Sequence, residues 1–264
     1  MNDPADPGTM FNHLTAPTPP DFALRVLHRA GIPADRYDTY VSLPTAAGPL
    51  LVATGHGSVT AAVLRRGTPS LDAFETGHRD RTGRSAIRAV RPGIPGLTTA
   101  VRTGRARHLP VRLDTVSAVQ ADILTAVRAV PPGQLRPVGW ILSETHRSGI
   151  SGDDVRAALL HNPASVLIPT HRVTDDLGVP LDTECPGDAA ELLRRDEGID
   201  TAEALTLARD GTRFIGSDTT RIFCLPTCAH ARRITGPHRV PFGDPADART
   251  AGYRPCKVCR PIAA

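Results

Sequence analysis

Four of the chain's five cysteines stand in two close pairs near its C-terminal end, Cys224-x3-Cys228 and Cys256-x2-Cys259, with 27 residues between the pairs. Two turns carrying such pairs can bring four thiolates around one tetrahedral ion, and zinc is the expected occupant of a four-sulfur site. The opening stretch, MNDPADPGTMFNHLTAPTPPD, places acidic residues and prolines where a secretory signal needs a basic region followed by an apolar one. A cytoplasmic chain is therefore expected, and there clustered cysteines point to metal rather than disulfides. On spacing alone, a structural ion holding together a segment too small to fold by itself is the favoured reading.

Charge divides along the chain in the same place. Residues 209–264 hold ten Arg or Lys against four acids, formally +6, while the preceding residues hold 21 bases against 23 acids, formally −2. That asymmetry points to a polyanion partner for the C-terminal part alone. Lys257 is the only lysine, an Arg bias better explained by a GC-rich genome than by selection for phosphate contacts. The 264 residues predict one to two domains. Ordinary proportions of hydrophobic (40%) and charged (22%) residues exclude wholesale disorder, collagen and coiled coil. Every apolar run is interrupted well short of the roughly 18 residues of a membrane span, so no membrane partner is expected.

Residues 1–20 are Pro-rich and read as a disordered tail, followed by an amphipathic helix over 21–32 that stops at Gly31. Short β-rich runs broken by Gly over 41–64 predict a hairpin or meander. Residues 65–115 show weak periodicity and carry no evident chemistry. From Ala118, VQADILTAVRAV predicts a helix closed by Pro131, Pro132 and Gly133. SGDDVRAALLHNP predicts a second, with Ser151 as N-cap, Asp153 and Asp154 in the first turn and Pro163 as stop. SVLIPTHRV reads as a buried strand or extended segment, and two further helices end at Gly198 and Gly211.

The residues around the cysteines are more specific than their spacing. RFIGSDTTRIFCLPTCAHARRI, HRVPF and AGYRPCKVCRP resemble the zinc domain of Ada, the bacterial protein that repairs and senses alkylated DNA, over residues 203–262. The resemblance implies that Cys224 accepts a methyl group from a DNA methylphosphotriester and that Cys228, Cys256 and Cys259 complete the zinc ligands. It further implies that Arg254, Lys257 and either Arg232 or Arg233 contact DNA phosphates. A site of four thiolates on Zn2+ carries a formal charge of −2, so its sulfurs stay deprotonated yet electron-rich enough to attack a methyl carbon. Methylating Cys224 lowers that charge to −1 and weakens repulsion of DNA, which in the family tightens DNA binding and switches transcription.

The middle segment, LRPVGW, HNPASVLIPTHRV and RRDEGI, resembles the O6-alkylguanine-DNA alkyltransferases, whose signature reads PCHRV. Here Thr170 stands at the nucleophile position, with Asn162, His171, Arg172 and Glu197 at the positions of the family's Asn, catalytic His, following Arg and Glu. A Thr hydroxyl is a poor nucleophile towards an alkyl carbon even beside a His–Glu relay, so no O6-guanine repair is expected. Asp153 stands where the family inserts an Arg into the duplex, and Val138 where it has a Tyr. Helix capping accounts for Asp153 and Asp154 without function, and His171 with Glu197 reads as a retained polar pair that packs the core. Cys185 is a weak candidate for a replacement nucleophile, and Trp140, the only Trp, is expected to pack.

The resulting expectation is an α+β multidomain protein. A small α/β lobe fills 21–115, a helical, winged-helix-like alkyltransferase lobe lacking its cysteine fills 116–202, and an Ada-type zinc domain fills 203–264. The expected function is a single-turnover, self-methylating zinc-thiolate acceptor, monomeric, with DNA as partner through its C-terminal part. Two alternatives stay open: zinc-dependent methyl transfer or acceptance on a small molecule in a biosynthetic or self-resistance pathway, and a non-catalytic alkylation sensor or transcription regulator. Salt-sensitive DNA binding separates the small-molecule reading from the others.

Overall fold

Alternation in the 41–64 stretch sorts side chains onto two faces, and the backbone follows it. The computed structural model describes residues 19, 21–65, 70–145, 147–181 and 188–261, so residues 1–18 and 20 of the expected tail and Cys185 lie outside the described residues. After helix α1 (Phe22–Arg29), which stops at Gly31 with φ 71°, strands β1 (Asp38–Thr45), β2 (Gly48–Gly55) and β3 (Ser58–Leu64) form an antiparallel meander. Leu50 and Val52 enter the main core, whereas Leu51 and Ala53 enter a second cluster with Tyr40 and Phe74. The β2–β3 connection is His56 and Gly57, both at positive φ (50° and 72°), which is the backbone a type I′ hairpin turn requires.

Residues 65–115 are more ordered than their weak periodicity suggests. They contain α2 (Leu71–Thr82), capped by Ser70, a short strand β4 (Ala86–Arg88) that pairs parallel to β1, and α3 (Leu97–Thr103). The sheet order is β3-β2-β1-β4. The face of α2 that packs is half polar: its buried residues are Phe74 and His78, and His78 Nε2 lies 3.0 Å from Asp38 Oδ2 while Arg84 Nε donates to Asp38 Oδ1 at 2.7 Å. Burial opposes charge on Asp38, but the bonds to His78 and Arg84 outweigh it and hold the carboxyl well below the usual range.

Helices α4 (Ala118–Val127), α5 (Val138–Glu144) and α6 (Gly152–Leu160) pack against one another below the meander. Ser117 with Gln120 and Ser151 with Asp154 each form a reciprocal capping box, so two N–H groups at each helix start are satisfied by side chain and backbone together. Strand β5 (Arg136–Pro137), just before α5, pairs in parallel with β6 (Val173–Thr174), which follows α6.

The extended reading of SVLIPTHRV is corrected. Only Val173–Thr174 is strand; Thr170–Arg172 forms a single 3-10 turn, and Val166 has φ 68°. Pro163 and Pro169 cannot donate to a ladder, and Asn162 closes the loop instead, donating from Nδ2 to Ile168 O at 3.1 Å and accepting from Ala164 N at 2.9 Å. Helices α7 (Ala189–Asp196) and α8 (Thr201–Arg209) follow, ending at Gly198 and Gly211 with φ 71° and 69°.

A second four-stranded sheet, in the order β10-β8-β7-β9, holds the cysteines: β7 (Phe214–Ser217), β8 (Ile222–Cys224), β9 (Arg239–Phe242) and β10 (Arg254–Pro255), with α9 (Pro245–Thr250) before β10. Phe242 and Tyr253 meet edge-on, ring centroids 4.9 Å apart, over Gly216, where a Cβ would lie 2.7 to 2.9 Å from their ring carbons. Phe214, Phe223 and the four cysteines belong to the same contiguous core cluster as Ile123, Ile141 and Leu159 of the middle helices. The architecture is mixed α+β, with the cysteine-bearing sheet built onto the helical part through buried contacts.

Candidate metal centre

Strand β8 ends on Cys224, and the parallel pairing of β10 with β8 brings Cys256 alongside it, Cys256 N donating to Phe223 O at 2.9 Å. Tight turns supply the other two ligands. Cys228 N donates to Leu225 O at 3.0 Å, and Arg260 N donates to Cys256 O at 3.0 Å across the turn that holds Cys259. All four sulfurs lie within 4.8 Å of one another and all four residues are buried. A tetrathiolate zinc site, with Zn–S near 2.3 Å, has edges of about 3.8 Å, so a small contraction around an ion suffices.

The sulfurs shift one another's proton affinities in opposite directions. Hydrogen bonds from Cys224 and Cys259 pull the Cys228 thiol far below its ordinary range, with the backbone N–H groups of His230 and Ala231 adding to them. Cys224 is pushed far up by its bonds to Cys228 and Cys259. Cys259 is lowered by Cys224 but raised more by Cys228 and by burial, and ends up pushed up to about 12. Leu225 N also donates to Cys259 Sγ at 3.4 Å. Thiols pushed upward must give up their protons for a four-thiolate site to form around an ion.

The cluster has an open side. A cleft of about 470 Å³ is lined by Cys224 and Cys256 together with Arg233, Arg254, Lys257 and His230, and no carboxylate lines it. Arg233, Arg254 and Lys257 thus share a cleft with Cys224, whereas Arg232 lines a separate cleft with Arg105, Arg107 and Arg128. Outside the lining of the Cys224 cleft, Trp140 is buried and its indole Nε1 donates to Cys259 O at 2.9 Å. Leu135 N donates to Thr227 Oγ1 at 2.7 Å, and Arg260 pairs with Glu144 at 2.5 Å.

Sequence reasoning missed Arg136. It is 2% exposed and lies on the ring of Trp140, its guanidinium carbon 5.3 Å from the centroid, while the indole of that Trp bonds to Cys259 O.

Thr170 and His171 are buried on the short turn before β6. His171 Nε2 lies 3.1 Å from Glu197 Oε1, and Arg172 grips the same carboxylate through Nε (2.9 Å) and a terminal amine (2.6 Å) while also donating to Val130 O and Gly104 O. Burial pushes Glu197 up, but His171 and Arg172 outweigh it and its carboxyl is lowered to about 2. Burial lowers His171 and keeps the ring neutral. His171 Nδ1 has no hydrogen-bond partner among the described residues, so Thr170 does not bond to that ring nitrogen. Val138 is buried in α5, and Asp153 is almost fully exposed on α6, paired with Arg156 at 3.0 Å.

These features define a buried four-cysteine cluster able to hold a zinc ion. Residues 204–261 match the family described as the metal binding domain of Ada, and with the buried cluster that match makes zinc the cofactor these residues are able to hold. Among solved structures, the chain is similar to the Mycobacterium tuberculosis O6-methylguanine methyltransferase at 22% identity and a TM-score of 0.42, over 65% of this chain and 98% of that one. It is also similar to M. tuberculosis OGT in complex with DNA, at 21% and 0.41 over 64% and 99%. For the O6-methylguanine-DNA methyltransferase of the archaeon Pyrococcus kodakaraensis the values are 14% and 0.44 over 61% and 99%. No curated protein gives a significant match.

Proposed function

We propose that the chain is a zinc-thiolate methyl acceptor of the DNA alkylation repair and response type, taking a methyl group from a DNA methylphosphotriester onto Cys224. One observation carries the reading: Cys224, the sulfur that the sequence resemblance aligns with the Ada acceptor, lines a cleft whose charged lining is entirely basic, which favours a phosphate backbone as its occupant. Cys224, Cys228, Cys256 and Cys259 would hold the ion, and zinc when bound keeps all four sulfurs deprotonated at neutral pH. Cys224 Sγ attacks the methyl carbon. The C–S bond forms as the C–O bond breaks, and the electron pair stays on the phosphate oxygen to give a phosphodiester anion. Arg233, Arg254 and Lys257 line the cleft where that charge develops and would stabilise it. The thioether is a poor leaving group, so each molecule reacts once.

In this reading the part matched to an alkyltransferase does no O6-guanine repair. Thr170 offers a hydroxyl without a bond to His171 Nδ1, and Glu197 is committed to Arg172 as well as to His171. The division into parts at about 115 and 202 belongs to the same proposal, with the second boundary falling inside α8.

The test is intact-protein mass after the zinc-loaded protein is incubated with randomly methylated DNA, followed by peptide mapping. A single methyl on Cys224, absent from Cys224→Ala, is the expected result. Full zinc occupancy with no added methyl overturns the reading and turns attention to small-molecule donors.

A further inference from the structure

Three arginines are among the largest fully buried side chains: Arg136, Arg172 and Arg194. Arg172 pairs with Glu197 and Arg194 with Glu191, whereas Arg136 has no carboxylate partner among the described residues. Its hydrogen bonds go to neutral acceptors, Leu135 O at 2.8 Å and Gln134 Oε1 at 2.6 Å, and its Nε is buried with no partner. An isolated buried cation is strongly disfavoured unless an anion compensates it.

The compensating anion is at hand. Arg136 lies on the ring of Trp140, and Trp140 donates to the backbone of Cys259. Burial lowers the affinity of Arg136 for its proton, and the sulfurs of Cys259, Cys228 and Cys256 act against this while Arg260 acts with it. The four-sulfur site has the mirror-image problem, since with Zn2+ it is a buried centre of formal charge −2.

We propose that Arg136 is the buried counter-cation of the zinc-thiolate cluster, a positioning residue delivered to the metal site by a strand some ninety residues earlier in the chain. Placed on the Trp140 side, outside the lining of the basic cleft, it balances one of the two negative charges from within and leaves the remaining charge to the cleft. Leu135, its neighbour, fixes the strand to the cysteine segment through both bonds with Thr227. The inference needs the metal and not the methyl transfer, so it stands or falls separately from the proposed activity.

Zinc affinity, measured on the full chain by competition with a chromophoric chelator, reads the effect directly. Arg136→Met is expected to weaken zinc binding about 10- to 100-fold, and Arg136→Lys, which keeps the charge, to stay within about fivefold of the parent. The rise in unfolding midpoint on adding zinc is expected to shrink in Arg136→Met, because the loaded form loses its counter-charge while the stripped form is relieved of a buried cation. A merely structural side chain would lower both midpoints alike. Parental zinc affinity in Arg136→Met overturns the proposal, as does an equal loss in the Lys variant. If Arg136→Met does not fold, the Lys variant decides: affinity within about fivefold supports charge compensation, and a larger loss overturns it.

Discussion

Glu197→Gln is expected to cost about 3 to 5 kcal/mol of stability at pH 7. The carboxylate is lowered from 4.5 to about 2 by His171 and Arg172, which outweigh the opposing effect of burial. At about 1.4 kcal/mol for each tenfold in proton affinity, that shift corresponds to about 3 kcal/mol of native-state preference for the charged form. An independent route gives a similar size: removing one partner of a buried ion pair costs about 3 to 5 kcal/mol because the other charge is stranded, and Arg172 is 2% exposed. The sign follows from the lowered value. The contribution is complete above about 4.5, where the unfolded carboxyl is already ionised, and is lost as pH falls towards about 2. His171, held neutral by burial, adds an earlier acid-sensitive limb below its ordinary 6.5. Urea unfolding at pH 7 and at several acid values measures both effects, with the Glu197 limb absent in the variant. A loss below about 1 kcal/mol at pH 7 with unchanged acid behaviour would refute the view that this relay-like trio now serves to hold α7 against the 104–130 region.

Other consequences are equally direct. Stripping zinc with a chelator should unfold the segment matched to the Ada domain, seen as protease sensitivity confined to its peptides, and zinc affinity should fall as pH falls because the thiols pushed upward must give up their protons. Gly216→Ala places a methyl within 2.7 to 2.9 Å of Phe242 and Tyr253, and overpacking there should cost about 1 to 3 kcal/mol by urea titration. If DNA occupies the cleft beside Cys224, each of Arg233→Ala, Arg254→Ala and Lys257→Ala should lower the salt slope of DNA binding by about 1. Arg232→Ala, which alters the other cleft, should leave that slope unchanged.

What was legible in the sequence was what local chemistry enforces. Ser151 and Asp154 signal a helix start because the cap is made by residues three apart, and the cysteine pairs signal a metal because each lies within one turn. The middle of the first hundred residues was opaque for an equally physical reason. The buried face of α2 is Phe74 and His78, and the second of these is matched to Asp38 by a hydrogen bond, so hydropathy sees a polar segment where the fold sees a packed one. The prolines and the Asn162 brace turned an apolar run from strand into loop. Arg136 was invisible because its burial depends on Trp140 and on cysteines far along the chain, and between Leu135 and Pro137 an arginine reads as surface.

The position of the cluster between two kinds of cation has a consequence for how methylation would be felt. Arg136 is fixed and dry, whereas Arg233 and Lys257 are exposed on the cleft side. Loss of one negative charge at Cys224 leaves the inner pairing satisfied, so the change is expressed outward, towards the cleft. One unit charge at 10 Å from a phosphate in water is worth about 0.4 kcal/mol before screening, so three phosphates near that distance give about 1.2 kcal/mol, close to an eightfold gain in affinity that salt reduces. The Debye length is about 10 Å at 0.1 M salt and about 3 Å at 1 M, so the gain should be clear at low salt and vanish at high salt. Titrating one DNA duplex against methylated and unmethylated zinc-loaded protein at both salt concentrations measures it. Equal affinities at low salt, with Cys224 fully methylated, would show that the charge change does not reach the DNA.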